Sequence, residues 1–195
     1  MLRKILYVVL FVGLMFLTPH SKAKPFDTDA NHSTVGFNVP MLGGLSKVSG
    51  KFSSFTVSLE YDEKDITKSS VTAAIKAESI DTGIEGRDKH LRTPDFFDTA
   101  KYPEITFKSK SVKKKGKAFV AVGDFTMHGV TKEIELPFTI AGKFVDPTSN
   151  KTTYGFASTL KLDRRDYGIA YQNKNNPNWI GYEVEINLFV LTRPA

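Results

Sequence analysis

The chain has 195 residues, with 27 Lys and Arg against 21 Asp and Glu, fifteen Phe and no cysteine. The missing thiols exclude disulfides, thiol catalysis and cysteine-bound metal, so core packing and strand pairing must hold the fold. The formal charge is +6, and it falls to +3 once Arg3, Lys4 and Lys22 of an N-terminal leader are set aside; so mild an excess gives no case for nucleic acid.

Met1 to Lys4 form a positive start, Ile5 to Leu17 an apolar run, and Ser21 and Ala23 the small-x-small pattern of a secretory cleavage site. The apolar run falls short of the roughly 20 residues a spanning helix needs. The expectation is a signal peptide over residues 1–23, cleavage near Ala23, and one domain over 24–195 in the periplasm or secreted. No cysteine follows the run, which excludes a lipid-anchored form.

Alternating apolar residues then mark half-buried strands along the whole remaining chain. Val35, Phe37 and Val39 share one parity. Val48 and Phe52 hold one phase and Phe55, Val57, Leu59 and Tyr61 the other, so Ser53 and Ser54 read as a bend in one long strand. Val71, Ala73, Ile75 and Ala77 follow, then Ile105 and Phe107, then Phe119, Ala121, Phe125 and Met127. Ile134 to Ile140, Tyr154 to Leu162 and Val184 to Val190 complete about eight strands, with Ser33 to Val39 first and Tyr182 to Leu191 last. Lys113, Lys114, Lys115 and Gly116 read as a charged hairpin tip, His128 to Thr131 as a second turn, and Asp146 to Asn150 as a third. Connections this short predict antiparallel pairing.

The stretch from Ile80 to Ile105 is different. Ile84 and Leu91 are two helical turns apart, which predicts a short helix over about 84–92 with both on one face, stopped before Pro94. Long connections inside a compact domain are usually functional. A second irregular stretch, Tyr171 to Gly181, holds the single tryptophan, Trp179. Eight antiparallel strands with one apolar face favour an all-β barrel over a sandwich, because closure removes exposed edges. Alternation alone fits a filled barrel and a hollow one equally.

Five segments carry a resemblance. They are Asp29 to Phe37, Leu45 to Phe55, Ser79 to Gly83 with Arg87 to Asp98 and Tyr102 to Phe107, Gly123 to Lys132, and Arg165 to Ile169. In order and spacing they resemble the YceI-like, polyisoprenoid-binding family of bacterial exported proteins. The resemblance implies an eight-stranded, lipocalin-like barrel, usually a homodimer, with a tunnel for an isoprenoid, isoprenoid quinone or fatty-acyl chain. It implies no catalytic residue and no cofactor besides the bound lipid. On that reading the candidate lining is Phe37, Phe52, Phe55, Ile75, Phe107, Phe125, Met127, Phe138, Phe156 and Tyr167, with Phe96 and Phe97 near the cap.

Polar candidates carry two readings each. Arg87, His90 and Arg92, with Asp88, Asp95 and Asp98, form either a polar mouth for a ligand head or a network pinning the helix to the sheet, and polar loop residues favour the network. Arg164, Arg165 and Asp166 pose the same choice. His32, His90 and His128 fall at a strand start, a helix and a turn, which suits capping better than metal. Lys113 to Lys115 suggest at most a transient contact with an anionic membrane. The rival classes are a lipid-modifying envelope enzyme, although no G-x-S-x-G motif is present, and a structural barrel with a filled core.

Overall fold

The alternation becomes a coiled antiparallel sheet in the computed structural model, which describes residues 24–116 and 118–194. The expected leader lies outside the described residues. Strands β1 (Lys24–Asp27), β2 (Thr34–Met41), β3 (Ser46–Phe52), β4 (Phe55–Tyr61), β5 (Ser70–Lys76) and β6 (Ile80–Asp81) precede helix α1 (Glu85–Leu91). After it come β7 (Glu104–Lys115), β8 (Ala118–Met127), β9 (Val130–Val145), β10 (Thr152–Asp163) and β11 (Glu183–Leu191). Neighbours run in the order β1-β4-β5-β7-β8-β9-β10-β11-β2-β3-β6, every pair antiparallel.

Eleven strands replace the expected eight, and the excess has a local cause. Ser53 and Ser54 interrupt β3–β4, and the turn Ala77–Ser79 interrupts β5–β6 at the facing position. Hydrogen bonds bridge the double interruption: Ser53 N–H donates to Ser79 O (3.1 Å) and Lys76 N–H to Ser54 O (2.9 Å). The bent strand β3–β4 therefore pairs with β2 through its first half and with β5 and β6 along its length, which curls the sheet back onto itself. The short β1 is a further strand laid on β4.

Turn chemistry sets the hairpins. His128 and Gly129 both take positive φ (51° and 74°), the two-residue turn that suits the right-handed strand twist. The lysine tip is corrected: Lys113, Lys114 and Lys115 lie inside β7, opposite Val120, Phe119 and Ala118, because a turn at Gly116 (φ 64°) needs no more chain. Ile84 is corrected too. It is the residue before α1 and is 55 % exposed, whereas Leu91 turns inward.

β7 shifts register between Ser109 and Ser111, and there it crosses β8 closely enough to require glycine. A Cβ on Gly123 would stand 2.3 Å from Lys108 O and 2.7 Å from Ser109 Cα. Those are backbone atoms, which cannot swing aside. We expect Gly123→Ala to destabilise the domain by about 3 kcal/mol in equilibrium urea unfolding; an unchanged midpoint would show that the bulge relaxes freely.

Candidate functional site

The inward parity of the strands surrounds a cavity of about 230 Å³, taken as the space open to the centre of a water molecule. Polar atoms contribute almost nothing to its exposed wall. Phe37, Phe52, Ile75, Phe107, Phe125, Met127, Phe138 and Phe156 stand on that wall, and Phe96 and Phe97 reach it from the segment after α1. Eight of the chain's fifteen phenylalanines are thus gathered there. Others face outward, with Phe144 63 % and Phe189 44 % exposed. The wall also takes aliphatic residues that the aromatic emphasis passed over, among them Val57, Leu136, Leu160, Ile186 and Leu188. Their signal was the same alternation.

Two expected lining residues stand elsewhere. Phe55 shares the parity of Val57, Leu59 and Tyr61, which stand on the wall, but it is the first residue of β4 after the Ser53–Ser54 bend and packs half-buried against the core instead. Tyr167 is buried off the cavity wall, edge-on to Phe125 at 5.3 Å between centroids. Close packing positions Phe37: it faces Gly50 on β3, and a Cβ there would stand 2.4 Å from the Phe37 ring.

None of the four expected mouth residues lies on the cavity wall. Arg87 donates from Nε to Thr82 Oγ1 (2.7 Å) and from Nη2 to Thr82 O (2.8 Å). Arg92 donates to Glu78 O (2.7 Å) and Ile80 O (2.9 Å). Buried Asp88 accepts from the Thr82 N–H (3.0 Å), completing a network that pins α1 to the strand end. His90 Nε2 pairs with Asp95 (2.8 Å), its ring edge-on to Phe96 and Tyr171. Arg165 forks onto Asp163 at the surface. The Arg165 guanidinium holds the Asp163 carboxyl below the usual range.

The neighbouring Arg164 is the inward one. It is 4 % exposed, reaches the cavity wall, and donates to Gly181 O (3.0 Å), Ile169 O (2.7 Å) and Tyr171 O (2.8 Å). Burial pushes its pKa down from the ordinary arginine value. It holds the segment 168–182 over one end of the cavity, so that Ile169 and Ile180 close the wall. The three histidines described do not converge: His32 pairs with Asp29, His90 with Asp95, and His128 Nδ1 with Tyr167 O.

A coiled antiparallel sheet around an apolar interior defines a lipocalin-like barrel protein. Residues 26–191 match the model of the YceI-like domain. The chain is 37 % identical over 170 residues to Protein YceI of Escherichia coli O157:H7, covering 86 % of this chain and 88 % of that one. It belongs to the YceI-like family. In fold it is similar to Burkholderia cenocepacia BcnA (TM-score 0.76, 20 % identity, 85 % of this chain and 99 % of that one). It is also similar to a polyisoprenoid-binding domain from Saccharophagus degradans (TM-score 0.65, 16 % identity, 87 % of this chain and 98 % of that one).

Proposed function

We propose that this chain is an exported, non-catalytic carrier that shields a long apolar molecule, of isoprenoid or fatty-acyl type, in its barrel. The observation that carries this reading is the cavity itself, enclosed by the curled sheet and walled almost entirely by carbon. Such a wall offers hydrocarbon burial of about 0.8 kcal/mol per methylene, and its few polar residues, Glu60, Ser69, Ser70, Ser158 and Arg164, turn almost no polar surface toward a head group. A ligand is therefore held by its chain, with weak discrimination between adjacent chain lengths. The Saccharophagus degradans domain, whose fold this chain shares, is described as polyisoprenoid-binding, and that supports an isoprenoid as first choice.

The test is a native mass spectrum of the protein lacking residues 1–23, prepared without detergent, followed by organic extraction. A bound hydrophobic molecule in the extract is expected, and the same spectrum reads out the expected homodimer. A clean ligand-free mass, together with no uptake of added isoprenoid quinone or fatty acid, would sink the carrier in favour of a filled barrel. Turnover of a lipid ester would favour the enzyme instead.

A further inference from the structure

The hairpin formed by β9 and β10 is zipped at its turn and open at its other half. Its register runs from Val145↔Thr152 to Thr139↔Ala157 and stops there. Among the described residues, Val130–Phe138 of β9 then pair with β8 alone, and Ser158–Asp163 of β10 with β11 alone. Six residues of β10 thus border a seam about 20 Å long without a ladder partner on the β9 side. Pro137 brings no N–H to either neighbour, which suits a strand edge. Ser158, the first residue past the last pair, stands on the cavity wall and has a buried hydroxyl with no hydrogen-bond partner among the described residues.

The seam leads into the cavity. Ile134, Leu136 and Phe138 on its β9 side and Leu160 and Leu162 on its β10 side all stand on the cavity wall. Both ends of the barrel, by contrast, carry ring clusters, although Glu60, Ser69 and Ser70 also stand on the wall beside Tyr61. At one end Phe96 lies 4.8 Å from Tyr171 and 5.1 Å from His90, under the segment that Arg164 holds. At the other, Tyr61 lies 4.8 Å from Tyr154 and 5.4 Å from Phe156, with Phe26 edge-on behind. Opening either end separates aromatic pairs that attract one another beyond the area they bury. Widening the seam breaks no ladder between β9 and β10. Across it stand the solvent-exposed Lys132–Asp166 ion pair (2.9 Å) and the Phe138–Phe156 contact (6.4 Å), and just beyond its turn end His128 Nδ1 meets Tyr167 O (3.0 Å) and Lys132 lies 5.7 Å from the Tyr167 ring centre. An exposed ion pair is a weak latch.

We propose that this seam, between Thr131–Phe138 and Ser158–Asp163, is a lateral portal through which the apolar chain of a lipid enters and leaves the interior. The inference rests on the carrier reading above and adds the route. Because the chain enters sideways, a polar head stays outside, and its size does not limit loading.

The lack of native cysteine makes the test clean. Continuing the Thr139↔Ala157 register places Glu135 opposite Lys161, and each now pairs away from the seam, with Lys115 and with Glu183. The Glu135→Cys/Lys161→Cys protein is bridged by oxidation or by a short bis-maleimide, and loading of cis-parinaric acid is followed by stopped-flow fluorescence. Bridging should slow uptake and release together by at least tenfold, with equilibrium affinity unchanged. A control bridge, Thr159→Cys/Asn187→Cys, spans a ladder already zipped and should change neither rate. Unchanged exchange in a protein shown by mass to be bridged, or equal slowing by the control, overturns the portal while leaving the carrier standing. No uptake by the unbridged protein overturns both. Hydrogen exchange needs no bridge: the amides of Thr159, Lys161 and Asp163 face the seam and alternate with those bonded to β11. They should exchange at least tenfold faster than those of Thr153, Gly155 and Ala157, which face the zipped half of β9, and equal protection overturns the seam.

Discussion

Ala73→Phe should weaken binding of a long-chain ligand about 200-fold without weakening the fold. Ala73 lies on β5 between Val57 of β4 and Phe107 of β7, and all three stand on the cavity wall. A ring projecting from this position displaces roughly four methylenes of a bound chain. At about 0.8 kcal/mol each that is about 3 kcal/mol, or a factor of about 200 in Kd. The same ring fills empty space in the free protein, so the thermal midpoint should hold or rise. In a barrel already filled, the ring would overpack and cost about 1–3 kcal/mol. Fluorescence titration with an isoprenoid quinone and thermal unfolding read the two effects separately. Unchanged affinity in a stable variant would mean that the chain does not pass β5.

The strands were legible because alternation is a direct imprint of a sheet with one dry face, and Ile134 to Ile140 or Val184 to Val190 admit no other reading. The bend at Ser53–Ser54 was legible for the same reason: a phase switch is visible as a change of parity. Its consequence was not, since the matching break at Ala77–Ser79 lies on a different strand and only register shows that the two face each other. The lining was legible to the level of parity and no further. Parity selects Phe125 and Phe138 correctly as inward, but Tyr167 follows β10 in a tight turn where parity has no meaning. The charged loop shows the same limit. Arg87, Arg92 and Asp88 look like a binding mouth in one dimension, while in three dimensions their partners are mostly backbone groups and hydroxyls of Glu78, Ile80 and Thr82. Of the adjacent pair Arg164 and Arg165, nothing in composition tells which turns inward.

That difference between adjacent arginines gives the second large expected effect. Arg164→Ala removes three donors from carbonyls of Ile169, Tyr171 and Gly181, of which the Ile169 bond is fully buried. Stranding buried acceptors costs about 1–3 kcal/mol each, and bonds from a charged donor stand at the upper end. Removing a buried cation recovers part of this, because its own desolvation is costly, as its lowered pKa records. The net expectation is about 3 kcal/mol of lost stability, roughly 6–12 °C in Tm for a domain of this size. Lysine should not rescue it. One ammonium on a flexible stem cannot reproduce a planar fork that meets three carbonyls in different directions. Arg165→Ala, at an exposed pair with Asp163, should fall within about 0.5 kcal/mol of the unaltered protein. Trp179 sits in the segment that Arg164 holds and is the chain's single tryptophan, so its emission reports on that segment alone. In Arg164→Ala its emission should shift toward that of water-exposed indole well below the global transition. In Arg165→Ala it should not. An Arg164→Ala protein with unaltered emission and midpoint would mean that Ile169 and Ile180 close the cavity without the guanidinium.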